Sequence, residues 1–360
     1  MEQQGLKQPL LGFLGTVIVV FIAYALINIF TVPTFVSWAC CLTLCIIPIE
    51  IIVGLAWQGN YPPPAAKLEQ PLKGFYLTFL CAVVAAIIAG WSIKTIGGYA
   101  LPPTPFVIFF LIMMVIMTFF MVVVWQCWPA VGIKKHPAFI GFGTLIVAVI
   151  VAYILYKLCY DFGFMKGAPF YSAALDPGGA FNAWKALAFF LTMLAIMLLW
   201  LELDFWPLSS IAAKAPAVGK QPLWGIIVTI VILIVSYIIQ SIFVDGLGVD
   251  PVIYAVQAPI CTIFGCFIML LLFQTWPVQT VKQPGKGIIL IIISLILCLV
   301  MYRLYHWFGF LVAGTLPSGP PGYVLELWTA TSLLCFTFPV IAAFTGFFNF
   351  WPLSEAKPKA

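Results

Sequence analysis

Few residues of this sequence can do chemistry in an apolar environment, and Glu50 is the most deeply placed of them. It lies in a long apolar run, two residues after Pro48, and is the only acidic residue near the middle of a predicted helix. A carboxylate in hydrocarbon is costly unless it is protonated, paired or facing a cavity, and Pro48 removes a backbone hydrogen bond nearby. Two interpretations stay open: a proton- or cation-linked site, or a protonated side chain bonded to a backbone carbonyl.

Two basic residues occupy equivalent positions in separate apolar runs. Lys157 and Arg303 each follow a tyrosine, and each lies near the end of a predicted helix. Asp161 comes four residues after Lys157 and His306 three after Arg303, spacings that place each pair on one helix face. The cations either attract an anionic substrate into the bundle or extend toward the lipid headgroups.

A polar residue, any residue, Trp and Pro end four of the predicted helices. The four copies begin at Gln126, Asp204, Gln274 and Asn349. These polar residues predict either a ring at the mouth of a pathway or side chains that satisfy helix-end carbonyls, four of which lack intrahelical partners. Glu202, two residues before Asp204, falls on a different face of the helix.

Several kinds of chemistry are excluded or disfavoured. The two histidines, His136 and His306, fall on opposite membrane sides, which excludes a haem held by two histidines. No spacing of metal ligands, no phosphate-binding loop and no hydrolase motif occurs. We therefore predict no catalytic residue, metal or cofactor, and no nucleic-acid partner. The hypothesis of a membrane-embedded enzyme that acts on a lipid or quinone is supported only by Glu50, Glu202, Asp204 and His306.

The elements that must position these residues are apolar helices. Of the 360 residues, 64% are hydrophobic and 8% are charged, against about 25% charged in a soluble domain. A membrane span needs about 20 apolar residues, and the sequence predicts an all-α, polytopic integral membrane protein. The ten predicted helices cover 9–30, 35–58, 71–95, 103–127, 138–161, 181–204, 222–244, 251–275, 285–309 and 323–349.

The helices recur in pairs. Each odd helix opens with a charged residue, Gln or His, and Pro, followed by a glycine; each even helix closes on the polar-aromatic-Pro signature, loosely in the first pair. The five openings are Lys7-Gln8-Pro9, Glu69-Gln70-Pro71, Lys135-His136-Pro137, Lys220-Gln221-Pro222 and Lys282-Gln283-Pro284. Because every pair begins and ends alike, we predict five tandem parallel hairpins related by an axis along the membrane normal.

A longer repeat divides the chain. Tyr156-Lys157-Leu158 returns 146 residues later as Tyr302-Arg303-Leu304. The third to sixth helices therefore look like a duplicate of the seventh to tenth. We predict an extra N-terminal hairpin at 1–66, a first four-helix repeat at 67–216 and a second at 217–360.

Lysine placement predicts the orientation, because cytoplasmic loops carry an excess of basic residues. Eleven lysines fall on the side of both termini: Lys7, Lys67, Lys73, Lys134, Lys135, Lys214, Lys220, Lys282, Lys286, Lys357 and Lys359. The opposite half holds Lys94, Lys157, Lys166, Lys185 and Arg303. We predict a multi-pass protein of the plasma (inner) membrane with both termini cytoplasmic.

Two functions follow from this architecture. The first is a permease that moves a small solute, with Glu50 as the coupling or gating residue. Against it stands the shortage of polar residues inside the spans, which a charged solute would need. The second is a non-catalytic anchor or scaffold subunit, whose partners besides the lipid bilayer would be other membrane or peripheral subunits.

Overall fold

The computed structural model describes residues 4–355, so Lys357 and Lys359 lie outside the described residues. Within that range ten helices are long and apolar enough to cross a membrane, which confirms the predicted number and the helical fold class. They are α1 (Leu10–Ile27), α2 (Val32–Ala56), α3 (Leu72–Thr95), α4 (Pro105–Val124), α5 (Pro137–Cys159), α6 (Ala183–Glu202), α7 (Leu223–Gly246), α8 (Pro251–Leu272), α9 (Gly285–Ala313) and α10 (Val324–Phe347). Ten such helices indicate a multi-pass membrane protein.

Short elements that the sequence does not predict lie between the spans and at the two ends of the described chain. Four are helical turns: Pro63–Ala66, Ala130–Ile133, Gly163–Met165 and Leu208–Lys214. Two are pairs of two-residue strands: β1 (Gln4–Gly5) runs antiparallel to β4 (Ser354–Glu355), and β2 (Tyr160–Asp161) runs parallel to β3 (Phe181–Asn182). The first pair brings the two ends of the described chain together.

The even helices are inner and the odd helices are outer. In the apolar core of each even helix 61 to 78% of the residues are buried, against 22 to 33% for the odd helices. The exposed residues of the odd helices are mainly Leu, Ile, Val and Phe, as expected where lipid is the solvent. Their buried faces carry small residues at helical spacing, such as Ala148 and Ala152 of α5, which let backbones approach closely.

The five inner helices form a closed ring. Each of α2, α4, α6, α8 and α10 packs against the next, and α10 packs back against α2. Each outer helix covers one groove of this inner ring: α1 covers α8 and α10, α3 covers α10 and α2, α5 covers α2 and α4, α7 covers α4 and α6, and α9 covers α6 and α8. The ring therefore encloses an axis that no outer helix reaches.

One contact recurs where each outer helix begins and an inner helix ends. In four cases the glutamine before the first proline donates its side-chain N–H to an inner-helix carbonyl: Gln8 to Leu272 (2.8 Å), Gln70 to Phe347 (2.7 Å), Gln221 to Val124 (2.9 Å) and Gln283 to Glu202 (3.0 Å). The third outer helix has His136 in that place, and there Trp57 Nε1 donates to the Pro137 carbonyl (2.7 Å) instead. The repeated opening sequence thus joins helices that are not neighbours in the chain.

The glycine that follows each opening makes room for the inner-helix end. A Cβ added to it would lie 2.4 to 2.8 Å from the residue after an inner span, too close for any side chain. The pairs are Gly12 with Phe273, Gly74 with Phe348, Gly141 with Trp57, Gly225 with Trp125 and Gly287 with Leu203. Close packing at five equivalent junctions is the physical reason for the glycines in the repeat.

The inner helices end two or three residues earlier than the sequence predicts. Gln126, Asp204, Gln274 and Asn349 all have φ between +49° and +52°, and the next residue is also left-handed. Two consecutive left-handed residues cannot continue a right-handed helix. The chain turns at these polar residues and leaves their side chains exposed.

Candidate functional site

Four successive cavities lie along the axis of the inner ring. The terminal side is defined here as the membrane side where the odd helices begin and the even helices end. On the opposite side a vestibule of about 870 Å³ opens, followed by a chamber of about 70 Å³ and a void of about 20 Å³. A second vestibule of about 480 Å³ opens on the terminal side. All five inner helices line each of the four.

Adjacent cavities share lining residues, so they are consecutive along one path. Trp184 and Phe109 line both the opposite-side vestibule and the chamber, and Leu44 lines both the chamber and the void. The chamber and the void are lined by apolar side chains, the thiols of Cys40 and Cys335 and the hydroxyl of Thr331. The middle of the path is narrow and nearly without polar groups.

Three phenylalanines close the path between the void and the terminal-side vestibule. Phe119, Phe267 and Phe338 come from α4, α8 and α10 and line both cavities. Their ring centroids lie 5.6 Å (Phe119–Phe267), 5.6 Å (Phe119–Phe338) and 4.7 Å (Phe267–Phe338) apart. Three mutually packed phenyl groups on the axis form a hydrophobic constriction.

Glu50 lies at the meeting point of two cavities. Glu50 is 3% exposed. It lines both the terminal-side vestibule and a lateral crevice of about 490 Å³ between α1 and α3. Among residues 4–355, its Oε2 atom has no hydrogen-bond partner. A buried carboxyl with an unsatisfied oxygen is a candidate for a ligand or proton site.

Three of the four helix-ending polar residues lie at the terminal-side mouth of the axis. Asp204, Gln274 and Asn349 line the vestibule, whereas Gln126 does not. Asp204 accepts hydrogen bonds from Gln283 Nε2 (2.8 Å) and Lys286 Nζ (3.5 Å). In the described structure none of the four side chains donates to a helix-end carbonyl; the odd-helix glutamines do that in their place.

Glu202 lies away from the axis. It is 1% exposed, and its Oε1 accepts a hydrogen bond from Ser294 Oγ of α9 (2.6 Å). Within residues 4–355 its Oε2 has no partner. The contact with Ser294 places Glu202 between an inner and an outer helix, whereas Asp204 faces the vestibule.

The basic residues of the repeat lie on the outside of the bundle. Lys157 of α5 and Arg303 and His306 of α9 are exposed and line none of the cavities described above. The pair of Lys157 with Asp161 is not formed, because α5 ends at Cys159 and the Asp161 carboxylate accepts from the Gly163 N–H instead (2.9 Å). These positions fit side chains that extend to the headgroups.

The opposite-side vestibule brings together polar residues that the sequence did not predict to lie at one site. Tyr323, just before α10, donates its hydroxyl to Asp250 Oδ2 (2.7 Å) across the vestibule. Desolvation, together with the acceptor carboxylate of Asp250, raises the pKa of Tyr323 to about 12, so the phenol is a neutral donor near pH 7. Lys166 and Lys185 line the same vestibule, and Lys185 pairs with Asp245 (3.0 Å). No spacing in the sequence links these residues.

In residues 4–355 no three His, Cys, Asp or Glu side chains come together as a metal site. No family model, no curated protein and no solved structure matches this chain. The candidate functional site is therefore the axis of the inner ring together with Glu50.

Proposed function

We propose that this protein is a membrane permease or channel for a small solute, and that the solute passes along the axis of the five inner helices. The observation that carries the proposal is the row of four cavities lined by the same five helices, with lining residues shared between neighbours. A vestibule at each end and an apolar constriction between them are the parts of a gated pathway. The small middle cavities correspond to its closed state.

The lining favours an uncharged solute. An ion crossing the chamber and the void would lose its water and meet few groups to replace it. The charged groups of the path other than Glu50 are confined to the vestibules: Asp204 at one end, and Lys166, Lys185 and Asp250 at the other. Glu50 is the single acid at the edge of the constricted part, which makes it the residue for proton linkage in this proposal.

The finer architecture belongs to the same proposal. Five tandem parallel hairpins, with the third to sixth helices duplicated as the seventh to tenth, would generate a ring with approximate fivefold symmetry. The support is the junction of an outer-helix opening with an inner-helix end, which recurs five times with a glycine at each. The lysine excess supports an orientation with both termini in the cytoplasm.

The test is solute flux through the purified protein in liposomes. Stopped-flow light scattering with small neutral solutes such as urea and glycerol measures permeability against empty liposomes. Phe267→Leu shortens one side chain of the constriction and is expected to raise the flux. Phe79→Leu is the matched control, because Phe79 of α3 is 69% exposed on the lipid side. Equal flux in both variants and in empty liposomes would contradict the axial pathway.

A second function is favoured by the tightness of the axis. A void of about 20 Å³ holds at most one water molecule. A central cavity this small is typical of a closely packed helix bundle without a solute pathway. A non-catalytic anchor or scaffold subunit would show no flux with any solute. It would instead retain a stoichiometric partner subunit through purification in mild detergent.

Glu50 has its own test within the permease proposal. Glu50→Gln keeps the shape of the side chain and removes its proton exchange. We expect the pH dependence of flux to disappear in this variant while the protein still assembles. Unchanged pH dependence would remove Glu50 from the mechanism and leave the axial path to be judged by the constriction variants.

A further inference from the structure

The lateral crevice beside Glu50 is an intramembrane pocket in its own right. Residues of α1 and α3 form its walls, and residues of α2 and α10 form its floor. Several of its lining side chains are exposed at the surface of the bundle, among them Phe75 (61%), Ile22 (39%) and Leu26 (37%). Since these positions lie within membrane-spanning helices, the crevice opens toward the lipid. Its volume of about 490 Å³ is within the range of pockets that bind small molecules, about 300–1,000 Å³.

Besides Glu50, the polar side chains of the crevice are Thr43, Thr78, Cys335 and Trp351. The threonine hydroxyls already donate to their own helices, Thr43 to the Ala39 carbonyl (2.6 Å) and Thr78 to the Gly74 carbonyl (2.9 Å). The lining contains no Lys, Arg or His. The Glu50 carboxyl therefore has no counter-charge in the crevice, and no described residue satisfies its Oε2 atom.

We propose that this crevice binds a membrane-dissolved, single-chain primary amine, with the alkyl chain along the apolar walls and the amine nitrogen donating hydrogen bonds to Glu50. The ligand enters sideways from the bilayer. Binding does not depend on solute movement along the axis, so this inference stands or falls separately from the proposed permease function.

The head group follows from the chemistry of the pocket. An ammonium group brings both the donors and the positive charge that an isolated carboxylate in hydrocarbon lacks, and the pair is neutral overall. A fatty acid brings a second carboxyl and no counter-charge. A fatty alcohol brings one donor and no charge. The apolar walls contact the alkyl chain of the amine, the acid and the alcohol in the same way. A difference in affinity among the three ligands therefore reports on their interaction with Glu50.

The experiment compares three ligands with the same chain on the full-length protein in phosphatidylcholine nanodiscs. Radiolabelled n-dodecylamine, n-dodecanol and n-dodecanoic acid are titrated, and binding to empty nanodiscs is subtracted. We expect saturable binding of one dodecylamine per protein, and weaker binding of the alcohol and the acid. Only non-saturable partitioning, or equal binding of all three, would overturn the proposal.

Three variants locate the site. Glu50→Gln removes the charge partner and should weaken dodecylamine binding about 10- to 100-fold, the size of a hydrogen bond to a charged group. Glu69→Gln makes the same change in charge at an exposed position outside the crevice and should leave binding unchanged. Ala82→Trp fills the crevice from an exposed position of α3 and should abolish binding.

The variants also separate loss of binding from loss of folding. The thermal unfolding midpoint of each variant is measured in the same nanodiscs. If Glu50→Gln is poorly folded, the Ala82→Trp variant tests the site instead. Its added side chain occupies the crevice rather than the packed core, so the variant should still fold. Undiminished dodecylamine binding by a folded Ala82→Trp protein would refute the site.

Discussion

Replacing Gly74 with alanine tests whether outer helices are held against inner-helix ends by close contact. A Cβ at Gly74 would lie 2.4 to 2.6 Å from three ring carbons of Phe348, whereas ordinary contact begins near 3.4 Å. The ring or the helix must therefore move by about 1 Å, and overpacking of this kind costs about 1–3 kcal/mol. Phe75 packs on the same phenyl group at 5.2 Å and limits its escape.

Gly90 of the same helix is the matched control. A Cβ at Gly90 meets nothing within 4 Å, so Gly90→Ala changes only the helix propensity, by about 0.5–1 kcal/mol in favour of alanine. Because both variants share this gain, the difference between them isolates the clash. We expect Gly74→Ala to be less stable than Gly90→Ala by about 1–3 kcal/mol.

The assay is equilibrium unfolding in mixed micelles with increasing sodium dodecyl sulfate, followed by circular dichroism. A double variant, Gly74→Ala with Phe348→Leu, should recover part of the loss, because the shorter side chain makes room for the added methyl group. Equal stability of Gly74→Ala and Gly90→Ala, or no recovery in the double variant, would refute the idea that this junction is closely packed.

Three further predictions test other parts of the structure. The sulfur atoms of Cys40 and Cys335 lie 3.5 Å apart, so oxidation with copper-phenanthroline should form a disulfide that joins α2 to α10. After proteolysis between the spans, the two helices should then run as one cross-linked fragment on a non-reducing gel. The Cys40→Ala variant should lose this fragment if the inner ring closes between α2 and α10. Gln283→Leu leaves the carbonyl at the end of α6 without its donor, which should cost about 1–3 kcal/mol in the unfolding assay. The pKa of Tyr323 is raised from its usual 10 to about 12, so the folded state favours the neutral phenol; that stabilisation is present below pH 10 and lost as the pH rises to 12. The unfolding midpoint should therefore fall less over this interval in Tyr323→Phe than in the wild type.

Much of the secondary structure could be predicted from local composition. Long apolar runs must become helices in lipid because each backbone group has to be satisfied within its own segment. The repeated opening and closing sequences marked where the spans begin and end to within a few residues. They also marked the glycines, although the reason for them, the contact with an inner-helix end, involves residues far away in the chain.

The candidate site was predicted only in part. The depth of Glu50 in its span is readable from sequence position, but the two cavities that it lines are not. Lys157 and Arg303 illustrate the same limit, because their depth was predictable and the direction in which they point was not. The rotation of a helix about its own axis depends on which neighbours it packs against, and an apolar helix without a polar face does not reveal those neighbours.

The sequence by itself determined that the chain is a bundle of ten apolar helices, since hydrophobicity and backbone hydrogen bonding act within each segment. Only the tertiary structure decided that the even helices close into an inner ring, that Phe119, Phe267 and Phe338 meet on its axis, and that the Glu50 Oε2 atom has no hydrogen-bond partner among residues 4–355. The physical reason is that helices in lipid are selected by shape and close packing between distant segments, which hydrophobicity along the chain does not encode.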